Sequence, residues 1–214
     1  MILYVVIDLE MCSVDKDKQE KYQYGTEIIE IGAVSLDENL TITDSYKTYV
    51  HPQYGEIDSY VEKLTRITPE QTENAPPFES AIEDFLQWVP DGAQMVAWSE
   101  ADKHQLLKES ALKKSRFPKL TQLAENSIDC QATFSEKLKT NKVYRLSEAL
   151  VIADIPYDEG AHDALVDARN TALLFNKMEK EENFSVSKYI TAEEDKGITY
   201  NPFADLLSML TDEE

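Results

Sequence analysis

Histidine is scarce in this chain, with three among 214 residues, and cysteine is scarcer still at two. Cys12 and Cys130 sit in no spacing that suits a zinc site. Two ordinary thiols agree with a reducing compartment, so the chain is read as cytoplasmic. Basic residues are also few: 21 Lys and Arg face 41 Asp and Glu, for a net charge of −20. That balance argues against holding a polyanion through a broad basic surface. Nine acids and two lysines from Glu181 onward carry −7 of the charge, and −13 remains on the body. No long apolar run is present. The longest, Ile2 to Ile7, is far too short to span a bilayer, and no basic segment precedes it as in a signal peptide.

What is present is ordinary for a folded protein: 42% hydrophobic and 29% charged residues, in a length that fits one domain and an extension. Residues 2–8 are β-branched and nearly continuous, which predicts a buried central strand. Residues 14–25, VDKDKQEKYQYG, read as a polar loop. EIIEIGAVSLD (27–37) and TITDSYKTYVH (41–51) alternate apolar and polar residues across a short turn and predict an antiparallel hairpin. Thr-Pro and Pro-Pro divide 59–78 into short helices and turns. Helical spacing recurs over 78–89, 100–115, 145–155 and 162–182. AQMVAWS (93–99) is a second buried strand, and SIDCQATF (127–134) a short strand leading into a helix. In the helix over 162–182, Leu165, Ala168, Ala172, Leu173 and Phe175 are expected toward the core. This order predicts an α/β fold with a mixed sheet between helices. The domain is expected over 1–182. Residues 183–214 turn acidic around an apolar island, NPFADLLSML, which suits a docking helix or a disordered tail with a binding segment.

Acids at the mouth of a buried strand require an explanation. Residues i and i+2 of a strand share a face, so Asp8 and Glu10 project together. Two carboxylates held close repel, and burial raises the cost. A divalent cation would remove that cost, and hard oxygen ligands suit Mg²⁺ or Mn²⁺. The plainer alternative is a pair of solvated residues opening a loop. Asp102, in VAWSEADKHQLL, opens a helix after the second strand, where the helix dipole alone favours an acid. In HDALVDARNTALLF, His162 precedes or opens a helix and Asp163 is placed to cap it. Asp167 lies at the edge of the apolar stripe, and a buried acid needs a partner. His51 and His104 read as surface residues.

Taken in order, DLE at 8–10, AWSEADKHQLLKE and HDALVDARNTALLF resemble the DEDDh 3′→5′ exonuclease family. That family is named for four acids and a histidine, the last pair spaced His-X4-Asp. The five here are Asp8, Glu10, Asp102, His162 and Asp167. LTRITPEQTENAPPF is similar to a further family segment through Leu64, Thr65, Ile67, Thr68, Asn74, Ala75 and Pro76, with Arg66 where glycine is usual. The resemblance covers roughly residues 1–180 and is nearest to the subgroup of histone-mRNA 3′ exonucleases and their bacterial relatives.

The resemblance implies a ribonuclease-H-like fold, a five-stranded mixed sheet flanked by helices. It implies hydrolysis of single-stranded nucleic acid, RNA favoured over DNA, from the 3′ end to nucleoside 5′-monophosphates. Two Mg²⁺ ions, for which Mn²⁺ substitutes, are expected among Asp8, Glu10, Asp102 and Asp167, with His162 as general base. Leu9, Met11, Leu64 and Thr65 are expected to touch the terminal nucleotide. Two other readings stay open: a DNA-directed proofreading enzyme, and a catalytically silent interaction module. No membrane is expected as a partner, whereas the tail leaves room for a protein partner. KKSRFPK (113–119) and KLKTNKVYR (137–145) hold eight Lys and Arg without an acid. They suit either a path for the incoming strand or solvated loops.

Overall fold

Strand β1 (Tyr4–Ser13) forms the centre of a five-stranded mixed sheet in the computed structural model. The structure describes residues 3–156, 160, 162–181 and 184, and the backbone alone of 192–193 and 197–198. On one side β1 pairs antiparallel with β2 (Thr26–Leu36), which pairs antiparallel with β3 (Ile42–Tyr49). On the other it pairs in parallel with β4 (Gln94–Ala97), followed in parallel by β5 (Ile128–Asp129). The order β3-β2-β1-β4-β5 is the mixed α/β sheet that the sequence layout predicts.

In chain order the helices are α1 (Lys16–Tyr22), α2 (Ser59–Thr65), α3 (Pro69–Glu73), α4 (Phe78–Trp88), α5 (Glu100–Leu112), α6 (Pro118–Glu125), α7 (Cys130–Lys137), α8 (Leu146–Ile152) and α9 (Ala164–Lys180). Alternation along β1 sorts them into two layers. Val5, Ile7 and Leu9 pack with Phe78, Phe85 and Leu106 on the α4–α6 side. Val6 packs with Phe134, Leu150 and Phe175 on the α7–α9 side. Asp8 and Glu10 continue the Val6 row, so both face the layer that contains α9.

Four expectations need correction. The central strand is longer than residues 2–8, because β2 accompanies β1 to Ser13 across a bulge at Glu10/Met11, whereas β4 leaves after Ile7. The acids therefore lie inside a strand, at the point where one of its two neighbours stops. Residues 14–25 are not all loop. Lys, Gln and Glu favour α1, and its last residue Tyr22 is buried and stacks on Tyr54 with ring centroids 4.9 Å apart. Helix α6 was not expected; Pro118 starts it, and Leu120, Leu123 and Ala124 seat it on the core. Finally, Leu173 is 44% exposed and Leu174 is buried. The buried stripe of α9 runs through Ala164, Ala168, Ala172 and Phe175, and Leu173 lies nearly opposite Ala168 around the helix.

A buried ionic group ties α5 to the sheet. The Glu27 carboxylate accepts from the N–H groups of Gln53, Tyr54 and Gly55 and meets the Lys113 ammonium at 2.6 Å. Lys113 also lies 3.1 Å from Glu109, whose other oxygen accepts from the Ile28 N–H. Among the described residues no helix is long and apolar enough to cross a membrane. Phe184 packs edge-on against Phe134, and β6 (Ala192–Glu193) pairs with β7 (Gly197–Ile198). The rest of the expected docking helix or disordered tail, 183–214, lies outside the described residues.

Candidate active site

Three elements bring carboxylates to one corner of the sheet. The first is β1, with Asp8 and Glu10 on its α9 face. The second is α5, which begins where β4 ends. Ser99 caps it, its hydroxyl accepting from the Ala101 N–H at 3.3 Å. Asp102 falls in the first turn, and its carboxylate accepts from the N–H of Leu9. Beyond Ile7 the β1 backbone has no β4 partner, and a helix-borne acid satisfies that amide instead. The bond holds Asp102 beside the two strand acids.

The third element is α9. Its start crosses the sheet at Gly32, the residue paired with Asp8 across β1 and β2. A Cβ there would fall 2.2 Å from the Ala164 carbonyl carbon and the Leu165 nitrogen, so the approach requires glycine. Asp163 caps the helix, accepting from the N–H groups of Leu165 and Val166 at 3.1 and 3.2 Å. His162, just before the cap, has φ of +69°, a left-handed conformation in which histidine is enriched among non-glycine residues. Its N–H donates to Asp167 Oδ2 at 2.9 Å. Ligand atoms of Glu10, His162 and Asp167 all lie within 4.8 Å of one another.

Burial, followed by the charges of Asp102, Asp167 and Glu10, pushes the Asp8 carboxyl well above its ordinary range. Burial and then the charges of Asp167, Glu30 and Asp102 push Glu10 up to about 8. Burial takes Asp102 to about 7, against the opposing hydrogen bonds from its own N–H and that of Leu9. Asp167 is also raised by burial, opposed by the His162 N–H. Among the described residues no Lys or Arg forms an ion pair with any of these four. Carboxylates that resist ionisation together, with hard oxygen donors and no protein cation, fit Mg²⁺ or Mn²⁺.

The five residues that the sequence singles out thus converge. The four expected nucleotide contacts occupy different surroundings. Leu9 is buried in the α4–α6 core, and its N–H is engaged by Asp102. Met11 is half-buried against the same core. Leu64 is 37% exposed on α2. Thr65 is buried, and its hydroxyl donates to the Val61 carbonyl and accepts from the Ile67 N–H. Thr65 also lines a cleft of about 200 Å³ with Tyr49, Arg66 and His162. Arg66 closes α2 at φ +62°, the conformation for which the family's usual glycine is suited.

Half of the basic side chains in 113–119 and 137–145 are engaged within the protein. Lys113 joins the buried ionic group, and Lys119 bonds the Val89 carbonyl and Asp91. Lys137 bonds the Met178 carbonyl, and Lys142 lies over the Tyr144 ring. Two residues near the site escape sequence reasoning. Glu30, buried on β2, stands directly opposite Glu10; Lys47 on β3 lies 2.8 Å from Glu30 Oε1 and 2.6 Å from Asp163 Oδ2. An acid inside EIIEIGAV is a signal that a partner is needed, but nothing in the sequence points to Lys47 as that partner.

Comparison with known proteins identifies the family and the fold. A sequence model of the family described as exonuclease matches residues 5–175. DNA polymerase III PolC-type of Caldanaerobacter subterraneus is 31% identical over 179 residues, 82% of this chain and 11% of that protein. ERI1 exoribonuclease 2 of Danio rerio is 32% identical over 185 residues, covering 75% of this chain and 32% of its own. The chain therefore spans only about a tenth and about a third of these two relatives. DNA polymerase III subunit epsilon of Aquifex aeolicus is 30% identical over 183 residues, 83% of this chain and 81% of that protein.

Among solved structures, a 3′-exonuclease described with 3′-end specific recognition of histone mRNA stem-loop superposes with a TM-score of 0.68 at 18% identity, over 94% of this chain and 73% of that one. Exonuclease I of E. coli in complex with a dT13 oligonucleotide gives 0.63 at 14% identity, over 84% of this chain and 41% of that one. These likenesses concern the fold. The matched family span contains the four acids, the histidine and the sheet that assembles them, and the chain belongs to the exonuclease family, of the DEDDh type with a ribonuclease-H-like fold.

Proposed function

We propose that this protein removes nucleotides from the 3′ end of single-stranded nucleic acid, RNA in preference to DNA, releasing nucleoside 5′-monophosphates. The observation that carries the reading is the convergence of Glu10, His162 and Asp167 within 4.8 Å, beside Asp8 and Asp102. Asp8, Glu10, Asp102 and Asp167 are the residues that would hold two divalent cations. When bound, such cations neutralise the carboxylates and the scissile phosphate and stabilise charge on the attacking and leaving oxygens. The His162 imidazole takes the proton of the attacking water, a task suited to histidine near neutral pH. Asp167, accepting from the His162 N–H, holds that residue at the edge of the acid group. Because the body is acidic, the strand is held locally at its 3′ end, not by a broad surface field.

The similarity to ERI1 exoribonuclease 2 favours RNA. A DNA-directed reading rests on the similarity to a DNA polymerase III epsilon subunit. One assay separates them: 5′-labelled and 3′-labelled single-stranded RNA and DNA, each with Mg²⁺, Mn²⁺ or EDTA. The expected result is a ladder that shortens from the 3′ end of RNA and is abolished by EDTA. Faster loss of DNA selects the second reading. Intact substrate under all metal conditions rejects both.

A further inference from the structure

We propose that Lys47 is a positioning residue that clamps the start of α9 to the sheet and so holds His162 at the acid group. This rests on the reading of His162 as the base. Three contacts define the clamp. Lys47 Nζ lies between Glu30 Oε1, at 2.8 Å, and Asp163 Oδ2, at 2.6 Å. The Ala164 N–H, at the first residue of α9, acts on the Glu30 carboxylate to favour its ionised form. Asp163 caps the same helix and is the chain neighbour of His162.

His162 has few restraints of its own. Its side chain is exposed, its backbone is in a left-handed conformation, and its N–H donates to Asp167 from the same segment. The sheet fixes the start of α9 by close approach at Gly32, which sets distance, and through Glu30 and Lys47, which set position by charge.

Local stability does not account for the arrangement. The Lys47–Asp163 pair is partly exposed, with side chains 28% and 37% accessible, and such pairs contribute little. Glu30 is almost fully buried and directly opposite Glu10, where a like charge is unfavourable. A bulkier apolar residue at position 30 would fill the space without needing a cation. What the ionic bridge adds is a directed link from two strands to the residue next to His162. Small displacements of a catalytic group are costly, so such a link affects rate more than folding.

The test is a double-mutant cycle on the full chain with Lys47→Met, Lys47→Arg, and Lys47→Met combined with Glu30→Gln, each with and without His162→Asn. The combined variant removes the buried acid together with its cation, so it leaves no buried charge unpaired as Lys47→Met alone does. Its kcat on 5′-labelled single strands is expected to fall ~10- to 100-fold with KM changed less than about threefold. Lys47→Arg should recover most of the rate. In the His162→Asn background the combined change should alter kcat by less than about twofold, because the group it positions is gone. Amide exchange at His162 and Asp167 should quicken in the combined variant. Equal losses in both backgrounds, or wild-type kcat in the combined variant, overturn the clamp alone. Full activity of His162→Asn by itself overturns the base reading, and the clamp with it.

Discussion

At the residue scale, the site depends on two unusual backbone positions. His162 makes its fold contacts through its N–H, while its exposed imidazole has no structural bond among the described residues. Asparagine tolerates the same left-handed φ. His162→Asn should therefore lower kcat about 10²- to 10⁴-fold while leaving the melting temperature within error. Gly32 behaves in the opposite way. An added methyl group there collides with backbone, which cannot rotate aside, so Gly32→Ala must displace α9. Overpacking of this kind costs ~1–3 kcal/mol, and the accompanying shift of His162 and Asp167 should lower the rate by about 10². Thermal melts read beside initial rates test this; a variant that melts and cleaves like the parent contradicts the close approach.

At the element scale, α5 does two separate jobs. Its first turn delivers Asp102 to β1, and its last turn and C-cap deliver Glu109 and Lys113 to β2. Lys113 is the cation for two fully buried carboxylates, Glu27 and Glu109. Lys113→Met should destabilise the fold by ~3–5 kcal/mol, because it leaves both acids buried without a counter-charge. A urea titration should show the midpoint falling, with Mn²⁺ affinity of the remaining folded protein unchanged. A lowered metal affinity at full folding would mean that the two ends of α5 are coupled.

At the scale of the whole molecule, the proposed function has pH and metal act on the same acids. Glu10 titrates at about 8 against an ordinary 4.5, and Asp102 at about 7 against 3.8. A raised carboxyl favours the protonated folded state. The metal-free protein should therefore become more stable as pH falls from about 8 toward 4.5, and lose that stability as pH rises through 7 to 8. Metal binding requires ionised carboxylates, so Mn²⁺ should raise the melting temperature more at pH 8 than at pH 6. The net charge of −20 drives the metal-free trend in the same direction, but salt screens it. In high salt the trend should persist in the parent and shrink in Asp8→Asn with Glu10→Gln. Persistence in that variant would assign the effect to overall charge.

Much of the sheet was legible because it rests on local rules, whereas the five site residues were legible as a set through the resemblance to a family. Alternation marked the hairpin, helical spacing marked α4, α5, α8 and α9, and like charges two apart on a strand raised the question of a cation. Leu173, α1 and α6 show where such rules stop: which face a helix buries, and whether a polar stretch coils, depend on what packs against it. The sequence by itself marked Asp8 and Glu10 as residues that need a partner, since an acid in a buried strand costs free energy wherever the chain leads. Tertiary structure alone decided their company. That β4 ends at Ala97 and frees the Leu9 amide for Asp102, and that Lys47 meets Glu30 and Asp163, follows from strand register and helix approach. Those contacts join residues up to 116 positions apart, and no local pattern encodes such pairings.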